Sequence, residues 1–397
     1  MNSDHFSNHF DVAIVGAGLI GSCAALALAR QGRSVALIEA SPETARGVDE
    51  SAEYDLRVSA ITPRSQRYLE QLGVWAKVDS TRVCPYQQMK IWHQQGDARI
   101  EFDAIELARS ELGAIVENRQ IHRALLKLCD NEQGITWFRP DSLAGLEKQQ
   151  DCVALQLESG RLLQVQLVIA ADGRFSRTRS LAGIEVDAGD YRQTAIVANV
   201  TTENCHDFTA RQRFLSTGPL AFLPLANGQS SIVWSCDDEF AVELMQLDAA
   251  EFCNRLGAAF EFSLGRVVSS SDRASFALGW HSCETWLKNS VLLIGDAAHS
   301  VHPLAGQGLN LGFSDVEVLA ELTRSAPDIS GIKQLRRYQR RRKSETWMAM
   351  SSFSALKWMY GSDHKLISGL CDLGMQAINN NPWFRRELMQ KASENLT

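Results

Sequence analysis

The chain has 397 residues, 45% of them apolar and 22% charged, with a formal net charge of −7. The length predicts two domains with ample core, and the acidic balance leaves nucleic-acid binding without electrostatic support. Residues 1–10 lack the apolar core of a secretory leader, and no stretch reaches the roughly 18 apolar residues of a bilayer span. Nine dispersed cysteines without a C-x-x-C suit reduced thiols, so a cytoplasmic protein with no metal site is expected.

The first patterned stretch runs from Asp11 to Glu39. An apolar run at 12–15 precedes Gly16-Ala17-Gly18-Leu19-Ile20-Gly21, a helix-like run follows at 22–30, and a second apolar run at 35–38 ends at Glu39. Strand, glycine turn, helix, strand and acid is the order of a dinucleotide-binding βαβ unit. Gly16 permits the tight turn. Gly18 lets the backbone approach a pyrophosphate seated on the helix N-terminus, and Gly21 lets helix and strand lie close. Glu39 can accept hydrogen bonds from a ribose diol and repels a 2′-phosphate, so FAD or NAD fits there and NADP does not.

Farther along, residues 40–54 read as a loop and 56–61 as an apolar run holding Arg57. Helical spacing at 63–72 stops at Gly73. Residues 89–92 and 100–102 read as strands about a turn at Gln95-Gly96-Asp97, and 115–118 leads into a helix over 119–129. Residues 153–157 and 162–169 form a predicted hairpin. Strand patterns recur at 196–200, 211–215, 220–225 and 231–235, with Asn227-Gly228 a hairpin turn between the last two. Residues 240–260 are expected to be one helix. A buried-strand run at 290–294 follows, then a glycine-punctuated loop, a helix to about Thr323, and a mostly helical remainder from 332 to 396.

Two of these stretches carry further cofactor chemistry. Ala171-Asp172-Gly173-Arg174-Phe175-Ser176, with Arg179 beyond, closes a strand. Gly295-Asp296-Ala297-Ala298-His299 runs on through His302, Pro303, Gly306, Gly308, Leu309, Asn310 and Gly312 to Asp315. An acid at a strand end can bind a ribityl or ribose hydroxyl. Gly306 and Gly308 let backbone approach a flat ring, and the N–H groups opening the next helix can stabilise negative charge on a reduced flavin. In this order the three motifs resemble the flavoprotein aromatic hydroxylases of the para-hydroxybenzoate hydroxylase type, and the resemblance covers the whole chain. Arg57 in LRVSAI, IVEN-x-x-IH-x-AL at 115–125, AFLPL at 221–225 and HPLAGQGLNLGF at 302–313 are similar to the ubiquinone-biosynthesis hydroxylases in particular. Arg174-Phe175 departs from the Ala-Asn that many relatives carry there.

The resemblance implies FAD as cofactor. Gly16, Gly18, Leu19, Ile20, Gly21 and Glu39 would hold its ADP half, Asp172 and Gly173 would lie near the pyrophosphate and ribose, and Asp296 would bind the ribityl chain. Pro303, Gly306, Gly308, Leu309 and Asn310 would line the isoalloxazine. Arg57 and Asn118 would also touch FAD, with a plain helix N-cap as the alternative for Asn118. The implied reaction has NAD(P)H reducing the flavin and O₂ supplying the oxygen for a polyprenylated phenol or benzoquinol ring, so no catalytic side chain is assigned. His299 and His302 are read as supports of the cofactor loop in preference to a phenol base. Phe214, Phe222 and Trp234 are read as pocket lining or as ordinary core.

The implied fold is α/β. A Rossmann-like FAD-binding domain (1–83, 113–188, 284–330) is interleaved with a mostly antiparallel, α+β substrate domain (84–112, 189–283) and followed by a helical C-terminal region (331–397). Alternatives are a hydroxylase of a small soluble aromatic and a non-catalytic scaffold. The run at 333–343, with seven basic residues in eleven, is read either as a solvated helix face or as a surface for anionic lipid or other ubiquinone-biosynthesis proteins. The second reading suits peripheral contact with the inner face of the membrane.

Overall fold

The structure, a computed structural model, describes residues 8–42, 53–94, 99–300 and 308–360, together with Asn381 and residues 386–387, and the side chains of the last long helix as far as Met348. In chain order the elements open with β1 (His9–Val15), α1 (Leu19–Ala29), β2 (Val35–Ile38), β3 (Val58–Ile61), α2 (Pro63–Gln71), β4 (Cys84–Tyr86), β5 (Gln88–His93), β6 (Arg99–Asp103) and β7 (Gly113–Glu117). Next come α3 (Asn118–Asp130), β8 (Ile135–Phe138), β9 (Leu143–Lys148), β10 (Val153–Leu157), β11 (Leu162–Ala170), α4 (Arg177–Leu181), β12 (Val186–Thr202), β13 (Thr209–Leu215), β14 (Gly218–Pro224) and β15 (Ser230–Asp237). The chain continues with α5 (Asp238–Gln246), α6 (Ala249–Ala259), β16 (Val267–Ser270), β17 (Ala274–Cys283), β18 (Leu287–Lys288), β19 (Val291–Leu293), β20 (His299–Ser300), α7 (Gly308–Thr323) and α8 (Ile332–Tyr360).

The apolar runs become the middle of a sheet ordered β18-β19-β11-β1-β2-β8, parallel from β19 to β8. Val12, Ala13 and Ile14 of β1 are fully buried, in one core shared with α1 and with apolar residues of β9, β10 and β11. The β10–β11 hairpin extends one side, antiparallel as its spacing predicts. Helix α1 is almost wholly buried and rich in alanine, so it packs closely against α3 and α7. The order in space brings the ends of β1, β11 and β19 side by side, and each of these ends opens into one of the three glycine motifs.

A second sheet is mostly antiparallel and runs β20-β17-β12-β15-β14-β13-β5-β6, with only β13 and β5 parallel along that path. Side chains alternate between its faces. Ile196, Phe222, Ile232 and Trp234 point to one face and form a core with Phe252, Leu256 and Phe260 of the helical layer. Phe222 and Trp234 are therefore core and not pocket lining. The opposite face, through Ala210, Leu223 and Leu225, meets Ala60, Cys84 and Ile115 of a three-stranded sheet β3-β7-β4. That small sheet is tied in turn to the third motif, since Asn310 donates to the Ala60 carbonyl.

Two expectations change. Residues 240–260 make two helices, because the Asp248 carboxylate accepts the Glu251 N–H and starts a new helix, α6. The basic run lies wholly on α8; Lys343 at its end donates to the Glu284 carbonyl, and the other six cations have different fates, described below.

Candidate cofactor site

The first turn is held by glycine sterics. Gly16 adopts φ +97°, and a Cβ there would lie 2.6 Å from the Ala171 carbonyl oxygen. A Cβ on Gly21 would lie 1.9 Å from the Gly16 carbonyl oxygen. Gly18 differs: its φ of −67° suits any residue, and a Cβ would meet no atom of the described residues within 4 Å. Packing gives no reason for glycine at 18, whereas close approach of a ligand does. Beside it the N-terminus of α1 has no side-chain cap, so its first N–H groups point outward from the positive end of the helix.

Half-buried Glu39 ends β2 with one carboxylate oxygen accepting the Ala17 N–H at 2.7 Å and the other accepting the Ser41 N–H at 2.8 Å. Each oxygen retains a lone pair for a ribose hydroxyl. His122 of α3 bonds the Ala17 carbonyl oxygen through Nε2 at 2.7 Å and braces the turn from the other side.

Asp172 also reaches this turn, since its Cα would sit 2.9 Å from a Cβ on Gly16. Its carboxylate is turned inward: Oδ1 accepts from the Ser176 hydroxyl, and Oδ2 accepts from the Thr178 N–H and hydroxyl, both at 2.9 Å. The side chain orders the loop into α4, and what this stretch offers a pyrophosphate is backbone around Gly173, which has φ +80°. Buried Arg179 then donates to the Arg174 and Ala297 carbonyls, both at 2.9 Å, stitching the second motif to the third.

In the third motif the Ile20 side chain wedges between Gly295 and Gly312. A Cβ on Gly295 would lie 3.2 Å from Ile20 Cγ2, and one on Gly312 would lie 2.6 Å from Ile20 Cδ1. Asp296 projects from the Gly295 turn with its carboxylate exposed. The surrounding atoms nevertheless crowd it, and that desolvation raises its pKa against the pull of His299, Arg174 and Arg57. An accessible carboxylate within a crowded recess is poised to accept a ligand hydroxyl. Its own backbone is pinned: His281 Nε2 lies 2.8 Å from the Asp296 carbonyl oxygen. That oxygen only accepts, so Nε2 carries the proton. Burial pushes the His281 pKa down to about 4, which leaves the ring neutral and Nδ1 a buried acceptor with no hydrogen-bond partner among the described residues.

Behind the turn lies a buried ionic cluster. Asp315 Oδ2 accepts the Gly295 N–H and faces His299 Nε2, each at 2.8 Å. Asp315 Oδ1 accepts from Arg342 Nε at 2.7 Å, and Arg342 also bonds Glu345 and the Leu311 carbonyl. Burial opposes ionisation of Asp315, but His299 and Arg342 outweigh it and hold the carboxyl below its ordinary range. His299 stacks on Trp286, with ring centroids 5.0 Å apart, and is a support of the loop as its position suggests. Arg342 overturns the reading of the whole basic run as surface, because it is fully buried.

Gly308 and Leu309 open α7, with Leu309 packed on the core. Asn310 is buried, accepts the Thr62 N–H at 3.0 Å and donates to the Ala60 carbonyl at 2.8 Å, tying α7 to β3. Pro303, Gly306 and His302 lie outside the described residues. Arg57 is exposed, and its charge acts on Asp296. Asn118 is the first residue of α3 and not its cap; its Oδ1 accepts from the Ser59 hydroxyl at 2.7 Å, and its N–H donates to the Arg57 carbonyl at 2.9 Å. Buried Glu117 next to it binds Arg82 at 2.6 Å and Arg119 at 2.8 Å and fixes this corner. Periodicity gave no signal for Arg342, His281, Glu117 or His122, because each works through a partner distant in sequence.

Three stretches thus converge on one recess that offers an uncapped helix N-terminus, a half-buried acid at the end of β2 and a second, accessible acid. Those features fit a dinucleotide with a ribityl arm, which is FAD. The family described as FAD binding domain matches residues 9–352. The chain is 33% identical to 3-demethoxyubiquinol 3-hydroxylase of Escherichia coli over 96% of its length and 98% of that protein's. It is 34% identical to the mitochondrial ubiquinone biosynthesis monooxygenase COQ6 of Xenopus tropicalis, over 97% and 93%. The fold matches Pseudomonas aeruginosa PqsL in complex with 2-aminobenzoylacetate, with a TM-score of 0.76 at 24% identity, over 92% of this chain and all of that one. The chain belongs to the FAD-dependent monooxygenases, within the ubiquinone-biosynthesis hydroxylases.

Proposed function

We propose that this enzyme hydroxylates the aromatic ring of a polyprenylated phenol or benzoquinol, with NAD(P)H as reductant and O₂ as oxidant. The observation that carries the reading is the convergence itself: Gly16 against Ala171, Ile20 between Gly295 and Gly312, and Arg179 bonded to Ala297. In this reading the open backbone at Gly18 and the N–H groups of α1 bind the pyrophosphate, Glu39 the ribose diol and Asp296 a ribityl hydroxyl. Arg57, Asn118 and the first residues of α7 lie toward the rest of the cofactor. Bound FAD supplies the redox chemistry that side chains lack.

This reading puts the substrate between the cofactor and the second sheet, and we assign residues 84–112 and 189–283 to the substrate domain. The two layers exclude water around the reacting ring. No helix among the described residues is long and apolar enough to cross a membrane, so a polyprenyl tail is met by peripheral contact.

The test is direct. Full-length protein is expected to purify yellow and to couple NADH or NADPH consumption to hydroxylation of a short-tailed prenyl phenol. A strain lacking it should accumulate the unhydroxylated quinone precursor, which names the ring position. Protein that takes up no added FAD and a strain with an unchanged quinone pool would sink the reading.

A further inference from the structure

Helix α8 is amphipathic in an unusual sense. Its inner face (Leu335, Tyr338, Arg342, Thr346) is buried. Its outer face presents Lys333, Arg336, Arg337, Arg340, Ser344, Trp347 and Met348, all exposed. These positions recur at helical spacing and form one stripe. None of the four cations is paired with a carboxylate among the described residues, whereas Arg341 beside them binds Glu321 and Glu345. The indole of Trp347 is 68% exposed, and Ile332 at the other end is 55% exposed. Against the first turns of α8 lies a cavity of about 360 Å³, lined by Lys288, Asn289, Ser290, Arg336 and Gln339 among others, with no carboxylate in its wall. The exposed Asp328 just before α8 is bonded to Ser330.

We propose that this face docks on an anionic phospholipid surface, with one lipid phosphate seated in the cavity between Lys288 and Arg336 and Trp347 resting at the interface. The proposal rests on the substrate reading above. From Arg336 to Trp347 is eleven residues, roughly 16 Å along a helix at ~1.5 Å per residue. A phosphate clamp and an indole anchor that far apart on one face set the helix parallel to the bilayer. Charge complementarity selects the occupant. On a chain of net charge −7, a stripe of four unpaired cations is the part an anionic surface attracts, so docking also fixes orientation. The buried Arg342 and Asp315 stay with the cofactor loop on the far side of the helix.

The experiment uses full-length, FAD-loaded protein and co-flotation with phosphatidylcholine vesicles, with and without phosphatidylglycerol. Binding is expected only with phosphatidylglycerol and is expected to weaken with salt. Each basic residue near an anionic surface is worth about fivefold in partition, so changing Lys333, Arg336, Arg337 and Arg340 together to Gln should weaken binding at least tenfold. FAD content and turnover of a short-tailed phenol should be kept. Brominated lipid should quench wild-type tryptophan fluorescence, and Trp347→Phe should lose most of that quench. Lys288→Gln alone should weaken binding severalfold.

Unchanged flotation of the quadruple variant, or equal binding to both vesicle types, overturns the proposal while leaving the hydroxylase reading intact. Loss of association with other biosynthetic proteins but not with vesicles also overturns it, in favour of a protein partner. Loss of short-tailed phenol turnover in wild type would instead count against the hydroxylase reading.

Discussion

Two turns face the same recess and are held by different physics. The turn at Gly16–Gly21 is fixed by sterics within six residues: a Cβ on Gly21 would lie 1.9 Å from a carbonyl oxygen of the same turn. The turn at Gly295–Asp296 is fixed by buried charge, with its N–H held by Asp315 and Asp315 held by His299 and by Arg342 from α8, 27 positions farther along the chain. A steric turn carries its own specification and can be moved between proteins as a motif. An ionic turn is specified only once the chain has folded, and any member of its cluster can break it. The difference predicts how each turn fails.

The largest effect should come from the ionic side. Arg342→Gln removes the buried cation shared by Asp315 and Glu345, leaving Asp315 with His299 and Glu345 with Arg341 only, and breaking a buried pair costs about 3–5 kcal/mol. Thermal denaturation should show a large drop in Tm, and the protein that survives should lose FAD on dialysis. A wild-type Tm with full flavin would mean that the cluster does not hold the Gly295 turn.

Next come the glycines, where the structure separates two roles. Gly21→Ala must displace backbone, and its Tm should fall by an amount typical of strained core variants, about 1–3 kcal/mol or more. Gly18→Ala meets no atom of the described residues, so its Tm without flavin should match wild type while its FAD affinity drops. If Gly18→Ala is destabilised without flavin, the openness at that position belongs to folding and not to the ligand.

This pair also shows what the sequence could convey. The βαβ order, the glycine positions and Glu39 were legible because each acts on near neighbours at fixed spacing. Asp172 is expected near a pyrophosphate and ribose, and its Cα does lie against Gly16, but the use of its carboxylate on Ser176 and Thr178 depends on how the loop closes. The helical break at Asp248 was missed because an apolar pattern continues across it while the cap does not depend on that pattern. Lys333–Lys343 was the hardest stretch. Composition alone makes it look uniformly solvated, and only the packing of α8 against α7 sends Arg342 inward.

The Asp296 side chain should matter less for folding than for the cofactor. Asp296→Asn removes a charge that crowding disfavours, so Tm should hold or rise slightly. The lost charged acceptor toward a ribityl hydroxyl is worth about 1.5–3 kcal/mol, or roughly tenfold or more in FAD affinity by fluorescence titration. Unchanged affinity would take Asp296 out of the site.

Acid offers a milder probe of the same recess. His281 has a folded pKa of about 4 against an ordinary 6.5, so the unfolded chain binds more protons between those values and stability falls as pH drops through that window. Asp315, held below its ordinary range, adds loss in the same direction at lower pH. Asp296, raised above its range, works oppositely, since its protonation relieves crowding. Denaturant melts from pH 7 down to 4 should therefore show a net decline, steepest below about 6.5. His281→Gln should flatten the upper part of that slope. A wild-type curve flat over the window would mean that His281 is free to take a proton in the folded protein.

The smallest effect is expected a turn and a half back along the same helix. Arg337→Gln alters a side chain with the same charge as Arg342 in the same basic run, but exposed and without a carboxylate partner among the described residues. Water solvates that guanidinium in both folded and unfolded chains, so removing it should change stability by no more than about 0.5 kcal/mol. Flavin content and turnover of a short-tailed phenol should also be unchanged. Measured beside Arg342→Gln, this variant isolates burial as the cause, because chemistry, helix and sequence neighbourhood are otherwise shared. Comparable loss of Tm in the two variants would show that the helix as a whole, through its charge or its helical propensity, sets the cofactor turn. The ionic cluster would then lose its special place in the comparison of the two turns.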